Sequence, residues 1–147
     1  MSTRGKPTRD DYVAWRTATT RWRDDDAYGH LNNATYYELF DTAVNAHLYE
    51  ATGLDVRALP QIGVVAETSC RYFREIGFPE PVEMGMVVDK VGTSSVIYRI
   101  GLFQGDGDEA AAEGRFVHVY VDNTDPARPV TPMPDSVRAA VAPLLRD

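Results

Sequence analysis

The sequence predicts an α+β domain in which an antiparallel sheet packs against one long helix. Three observations predict it. A helical apolar repeat runs from Asn33 to Thr52, four later runs alternate with period two, and the repeated strand–helix order of a doubly wound fold is missing. With 147 residues, 44% of them hydrophobic and 25% charged, the chain fits a single domain that buries a core without a disulfide or structural metal.

Residues 1–12 are polar and charged and read as a flexible arm, leaving 13–147 as the domain. From Val13 to Arg23 the chain is rich in Thr, Trp and Val, as a first strand would be. Asp, Gly and Asn then cluster in DDDAYGHLNN, where a loop is expected. In the helix, Tyr36, Leu39, Phe40, Ala43, Val44, His47, Leu48 and Ala51 form a wide apolar stripe. Asn32 or Asn33 can cap its start, Thr35 with Glu38 offers a competing capping box, and Gly53 is a natural stop.

The first later run places Ile62, Val64, Ala66, Thr68, Cys70 and Tyr72 on one face, and Val65, Glu67, Ser69, Arg71 and Phe73 on the other. The next three are carried by Val82–Met84–Met86–Val88, Val96–Tyr98–Ile100–Leu102 and Val117–Val119–Val121. Period two argues for antiparallel strands with one face buried. Gly77-Phe78-Pro79, Gly92 and Gly105-Asp106-Gly107 mark the turns, and a short helix from Asp135 to Leu145 closes the chain. One helix cannot cover both faces of such a sheet, so the remainder invites a second subunit.

A net charge of −7 argues against a nucleic-acid partner. The chain has one cysteine, Cys70, which excludes an intramolecular disulfide and fits a reducing compartment. No stretch reads as a secretory leader or a membrane span, so the expectation is a cytoplasmic protein. No His/Cys/Asp spacing suggests zinc, and Ser69 and Ser94 lack a nucleophile elbow. His47 reads as a hydrogen-bonded core residue, and nothing pairs His118 with another ligand.

The chemistry concentrates in Asp24–Tyr36. Acids and a histidine stand just before the start of a buried helix, where free N–H groups and the helix dipole favour negative charge. Such a terminus can bind a developing oxyanion, while a nearby carboxylate attacks a thioester carbonyl or activates a water.

The run Asp26-x-x-Gly29-His30-Leu31-Asn32-Asn33-x-x-Tyr36 resembles the signature of the 4-hydroxybenzoyl-CoA thioesterase-like branch of the hotdog superfamily. There, too, the motif follows the first strand and leads into a long helix. The later strands and the DNTDPARPVTPMP ending are similar as well, so the resemblance covers residues 13–145. It implies the hotdog fold, a sheet wrapped around one helix. It also implies hydrolysis of an acyl-CoA substrate without metal or cofactor, in a homodimer or homotetramer with sites at the subunit interface. The family carboxylate lies four residues before the histidine, which selects Asp26, and the oxyanion donor falls on the backbone amide of Asn33. Gly29 would let the backbone approach the thioester, with His30 and Tyr36 lining the site.

Asp24 matches an acid of related acyl-carrier-protein thioesterases, which keeps carrier-protein substrates open. A non-catalytic acyl-CoA binding module is the alternative of another class. A hotdog hydratase would need Gly-Asp-x-Asn-Pro-x-His where this chain has Gly-His-Leu-Asn-Asn. Glu67 is a candidate to project into a partner's site, against pairing with Arg71 or facing solvent. Arg71, Arg74 and Arg128 are candidates for the phosphates of coenzyme A. Tyr36, Tyr37, Phe40 and Tyr72 could shape the acyl pocket.

Overall fold

The computed structural model describes residues 5–146. In chain order it contains β1 (Ala14–Ala18), α1 (Asn33–Thr52), β2 (Gln61–Tyr72), β3 (Val82–Val91), β4 (Ser95–Phe103), β5 (Ala112–Asp122) and α2 (Asp135–Val141), with short 3-10 turns between several of them. The five strands form one antiparallel sheet in the order β1-β3-β4-β5-β2. Helix α1 lies against β3, β4 and β5.

Helix α1 spans the expected residues. Asn32 caps it, its side chain accepting from the Ala34 N–H at 2.9 Å, and Gly53 ends it in the left-handed region at φ 68°. Phe40, Val44 and Leu48 are buried against the sheet. The approach is close because Gly114 on β5 has no side chain: a Cβ there would lie 2.4 Å from a Phe40 ring carbon. His47 Nε2 meets the Ala140 carbonyl at 2.9 Å and ties α1 to α2.

Three expectations change. First, residues 7–12 are docked rather than loose. Tyr12 is only 4% exposed and packs with Val87, Phe103 and Ala110. Its hydroxyl donates to buried Glu113 at 2.5 Å, and the Pro7 carbonyl accepts from the Ala110 N–H at 2.8 Å. An aromatic ring and a pair of hydrogen bonds thus cover part of the sheet opposite α1. Residues 1–4 of the expected arm lie outside the described residues.

Second, the first strand stops at Ala18 and gives way to a 3-10 turn at Trp22–Asp24. The Asp24 carboxylate closes that turn, accepting from the Arg21 N–H at 2.7 Å and from its guanidinium at 2.9 Å. Third, β2 does not keep one face buried. Its pairing with β5 shifts register between Val65 and Glu67, and every residue from Val65 to Ser69 is exposed. An extra residue in one strand interrupts the alternation. The closing helix is α2 followed by a 3-10 turn at Ala142–Leu144, and Pro143 removes a helical N–H donor there. Among the described residues, no helix is long and apolar enough to cross a membrane.

Candidate active site

The three adjacent acids of the loop before α1 have three different environments. Asp24 is buried and paired with Arg21. Burial pushes its carboxyl pKa up, but the hydrogen bonds and charge of Arg21 outweigh this and hold it below the usual range. Its carbonyl accepts from the Asn32 N–H at 2.7 Å, fixing the entry to α1. The Asp25 carboxylate accepts from the Phe78 N–H at 3.1 Å and ties the loop to the turn after β2.

Asp26 is exposed. Its Oδ1 accepts from the N–H groups of Tyr28 at 2.8 Å and His30 at 3.3 Å, and its own N–H donates to the His30 carbonyl at 2.8 Å. Gly29, at φ 80°, makes this tight loop possible. The Asp26 side chain is thereby oriented, and no hydrogen bond within the described residues reaches its Oδ2. An open depression of about 470 Å³ adjoins it, lined by Trp22, Asp25, Asp26, Ala27 and Gly29.

The backbone amides at the helix start can be accounted for one by one. Tyr28, Gly29 and His30 donate to Asp26, Leu31 to the Ile76 carbonyl, Asn32 to Asp24, Ala34 to the Asn32 side chain and Thr35 to the Asn32 carbonyl. Among the described residues, only the Asn33 N–H of this stretch meets no acceptor. It is a donor at the positive end of a 20-residue helix.

Two tyrosines brace this turn. The Tyr72 hydroxyl donates to Asn33 Oδ1, and its ring stands edge-on to Tyr36 with centroids 5.0 Å apart. Tyr36 is buried, and burial pushes its phenol up to about 12, so it stays protonated at neutral pH. It serves as a wall behind the first turn. His30 Nε2 lies 2.8 Å from Glu75, which orients the imidazole. Glu75 has no motif to announce it in the sequence; only the return of the chain after β2 brings it to His30.

Asp26, Gly29, His30, Asn33 and Tyr36 therefore come together. Glu67 and Arg71 make no hydrogen bond or ion pair with this segment. Glu67 is bonded to Arg115 of the neighbouring strand rather than to Arg71, and the Arg71 guanidinium lies 5.2 Å from the Phe73 ring centre. Arg74 donates to the Gln104 carbonyl at 2.8 Å and holds that loop. Among the described residues, no group of acids, histidines and cysteine forms a metal cluster.

Residues 20–141 match the family model of the thioesterase-like superfamily. The chain is similar to the PA5185 protein of Pseudomonas aeruginosa strain PAO1, with 43% identity over 97% of this chain and 99% of that one, and a TM-score of 0.91. It is similar at 30% identity to the PA2801 protein of Pseudomonas aeruginosa, provisionally assigned as a thioesterase, over 89% and 99% of the two chains with a TM-score of 0.78. Slr0204, a 1,4-dihydroxy-2-naphthoyl-CoA thioesterase from Synechocystis, shares the fold at 12% identity, with a TM-score of 0.77 over 86% of this chain and 93% of that one. No curated protein sequence matches the chain. The match over most of the chain, and a five-stranded antiparallel sheet packed on one long helix, make this protein a member of the thioesterase-like superfamily with the hotdog fold.

Proposed function

We propose that the protein hydrolyses an acyl-CoA thioester, with Asp26 as the catalytic carboxylate and the Asn33 N–H as the oxyanion donor. The observation that carries this reading is the pairing, within one short loop, of an oriented carboxylate that keeps a free oxygen and a helix-terminal N–H without an acceptor. Asp26 Oδ2 adds to the thioester carbonyl carbon, or takes a proton from a water that adds. The carbonyl electron pair moves onto its oxygen, where the Asn33 N–H stabilises the charge. Collapse of the tetrahedral species breaks the C–S bond and releases CoA as a thiolate, which solvent protonates. Direct water attack yields the free acid. The covalent route passes through an anhydride on Asp26 that a water opens, giving the free acid and restoring the carboxylate. His30, held by Glu75, borders the reacting group.

Free thiol release from short, long and aryl acyl-CoAs tests the reading. Asp26→Asn is expected to lose at least about 100-fold in kcat, the scale of a lost general base or nucleophile. A variant with unchanged rate would remove Asp26 from the chemistry. Single turnover in labelled water separates the routes: label in the Asp26 side chain marks the covalent one.

The working unit of this reading is a homodimer paired through β2. That strand ends the sheet, is 12 residues long, and leaves one edge of backbone donors and acceptors unpaired. Val65–Ser69 are exposed on it, with Glu67 the only formal charge among them and that charge paired to Arg115. A long edge with so little charge pairs readily with another strand, and a second copy in antiparallel register supplies it.

A further inference from the structure

A cavity of about 140 Å³ lies at the far end of α1, away from the Asp26 loop, lined mainly by Leu48, Val56, Ile62, Gly63, His118 and Tyr120. Its walls combine apolar side chains with Asn45 and with Arg57, whose guanidinium is paired to Asp55, and its one histidine is unusual. His118 is 3% exposed, and its Nδ1 has no hydrogen-bond partner among the described residues. The hydroxyl of Tyr98, whose ring centre is 5.9 Å from that of His118, has none either. Gly63 leaves Nδ1 reachable: a Cβ at that position would sit 3.0 Å from it and 3.1 Å from the Tyr120 ring. A buried polar atom without a partner is destabilising, so a fold that keeps one beside an open space points to a partner from outside the chain.

The β2 pairing places this cavity. With the two-fold axis at Glu67, in the middle of the exposed run Val65–Ser69, and Ala66 the extra residue of the bulge, antiparallel partners beyond the bulge have numbers that sum to 133. Tyr72 of one copy then stands opposite Gln61 of the second copy, and Cys70 opposite Gly63, all on the face that carries α1. Tyr72 is bonded to Asn33, the proposed oxyanion donor, and Gly63 lines the cavity. Each catalytic loop thus faces the cavity of the other copy.

The geometry points to this cavity as the subsite for a short acyl group whose far end carries one uncharged hydrogen-bonding atom, a hydroxyl or a carbonyl, with His118 Nδ1 as its partner and Gly63 as the gap that admits it. This inference rests on the thioesterase reading and on the β2 dimer. The volume of about 140 Å³ holds roughly four or five water-sized groups, which matches the size of a short acyl group. Burial lowers His118 to about 4, so at neutral pH the ring is uncharged and its Nδ1 can donate or accept according to tautomer. An uncharged polar atom matches it, and a carboxylate does not.

The test uses two esters of nearly equal size, 3-hydroxybutanoyl-CoA and 3-methylbutanoyl-CoA, with palmitoyl-CoA as the long comparison. Wild type is expected to favour the hydroxyl ester over its methyl isostere by about tenfold in kcat/KM, the size of one net hydrogen bond, and to turn over palmitoyl-CoA poorly. His118→Phe, which keeps a ring in the core, is expected to bring that ratio to about one mainly through KM. Gly63→Ala, which puts a methyl group against Nδ1, is expected to raise KM for both short esters. A ratio unchanged in His118→Phe, with the protein folded by thermal denaturation, overturns the inference and leaves Nδ1 to a buried water. Preference for palmitoyl-CoA overturns it too. Calorimetric binding of both short esters to Asp26→Asn, with and without His118→Phe, separates this from the catalytic reading. Hydroxyl-selective binding lost with His118, in a wild type that releases no thiol, would keep the subsite and reject the hydrolysis.

Discussion

Asp24, Asp25 and Asp26 have the same side chain and divide three tasks by geometry. Asp24 closes the turn that ends β1, Asp25 anchors the turn after β2, and only Asp26 keeps a carboxylate oxygen free. The family resemblance selects Asp26 from the sequence, and the hydrogen bonds leave it the one acid of the three with an unbonded carboxylate oxygen. His118 is the opposite case. Its place in a strand is legible, but its lack of a partner depends on what α1 and β2 bring over it. That burial has a consequence for stability. His118 titrates at about 4 in the fold against an ordinary value of 6.5. Between those values the unfolded chain binds a proton that the folded chain refuses, so the contribution is complete above 6.5, lost as pH falls towards about 4, and level below. The window corresponds to about 3 kcal/mol. Urea unfolding from pH 7 to pH 4 should therefore show a steeper loss in wild type than in His118→Phe, by roughly that amount. Parallel curves would mean that the imidazole charges freely in the folded protein.

At the scale of elements, α1 carries the proposed oxyanion donor on its first turn, and that turn is held by its cap. Asn32→Ala removes the acceptor for the Ala34 N–H and should cost about 1 kcal/mol of stability in urea titration. The same change frees the backbone that aims the Asn33 N–H, so kcat should fall while the fold survives. A destabilised variant with full kcat would show that the helix start does not position the donor. Both ends of α1 were legible because they are local: a cap, an apolar stripe and a terminal glycine all lie within the helix's own residues. Strand β2 was legible as a strand but not in its facing. The register shift beside Ala66 comes from pairing with β5, and no residue in β2 marks it. The docking of the N-terminal segment is hidden from the sequence for the same kind of reason. Thr8–Tyr12 looks polar in sequence, and its one docking aromatic finds Phe103 and Glu113 from the other half of the chain.

At the scale of the whole molecule, the sheet ends in two edge strands of unequal length and unequal cover on their faces. Strand β1, at one end, is five residues long, and Arg9 and Tyr12, from the segment just before it, pack on Phe103 of the same sheet. Strand β2 has no such cover. If two copies pair there, each active site is assembled from the loop of one and the cavity of the other, and dissociation should abolish activity without unfolding either copy. Val65→Asp with Ala66→Asp sets four new carboxylates near the two-fold axis. Like charges facing one another across paired strands are destabilising, and neither original side chain is buried in the single chain. Sedimentation should show the variant as a monomer with far-ultraviolet circular dichroism close to that of wild type, and thiol release should drop at least tenfold. A monomer that retains full activity would place the entire site within one chain. A dimer that survives four buried carboxylates would show that the subunits meet through some other surface, and the facing of Cys70 and Gly63 would go with it.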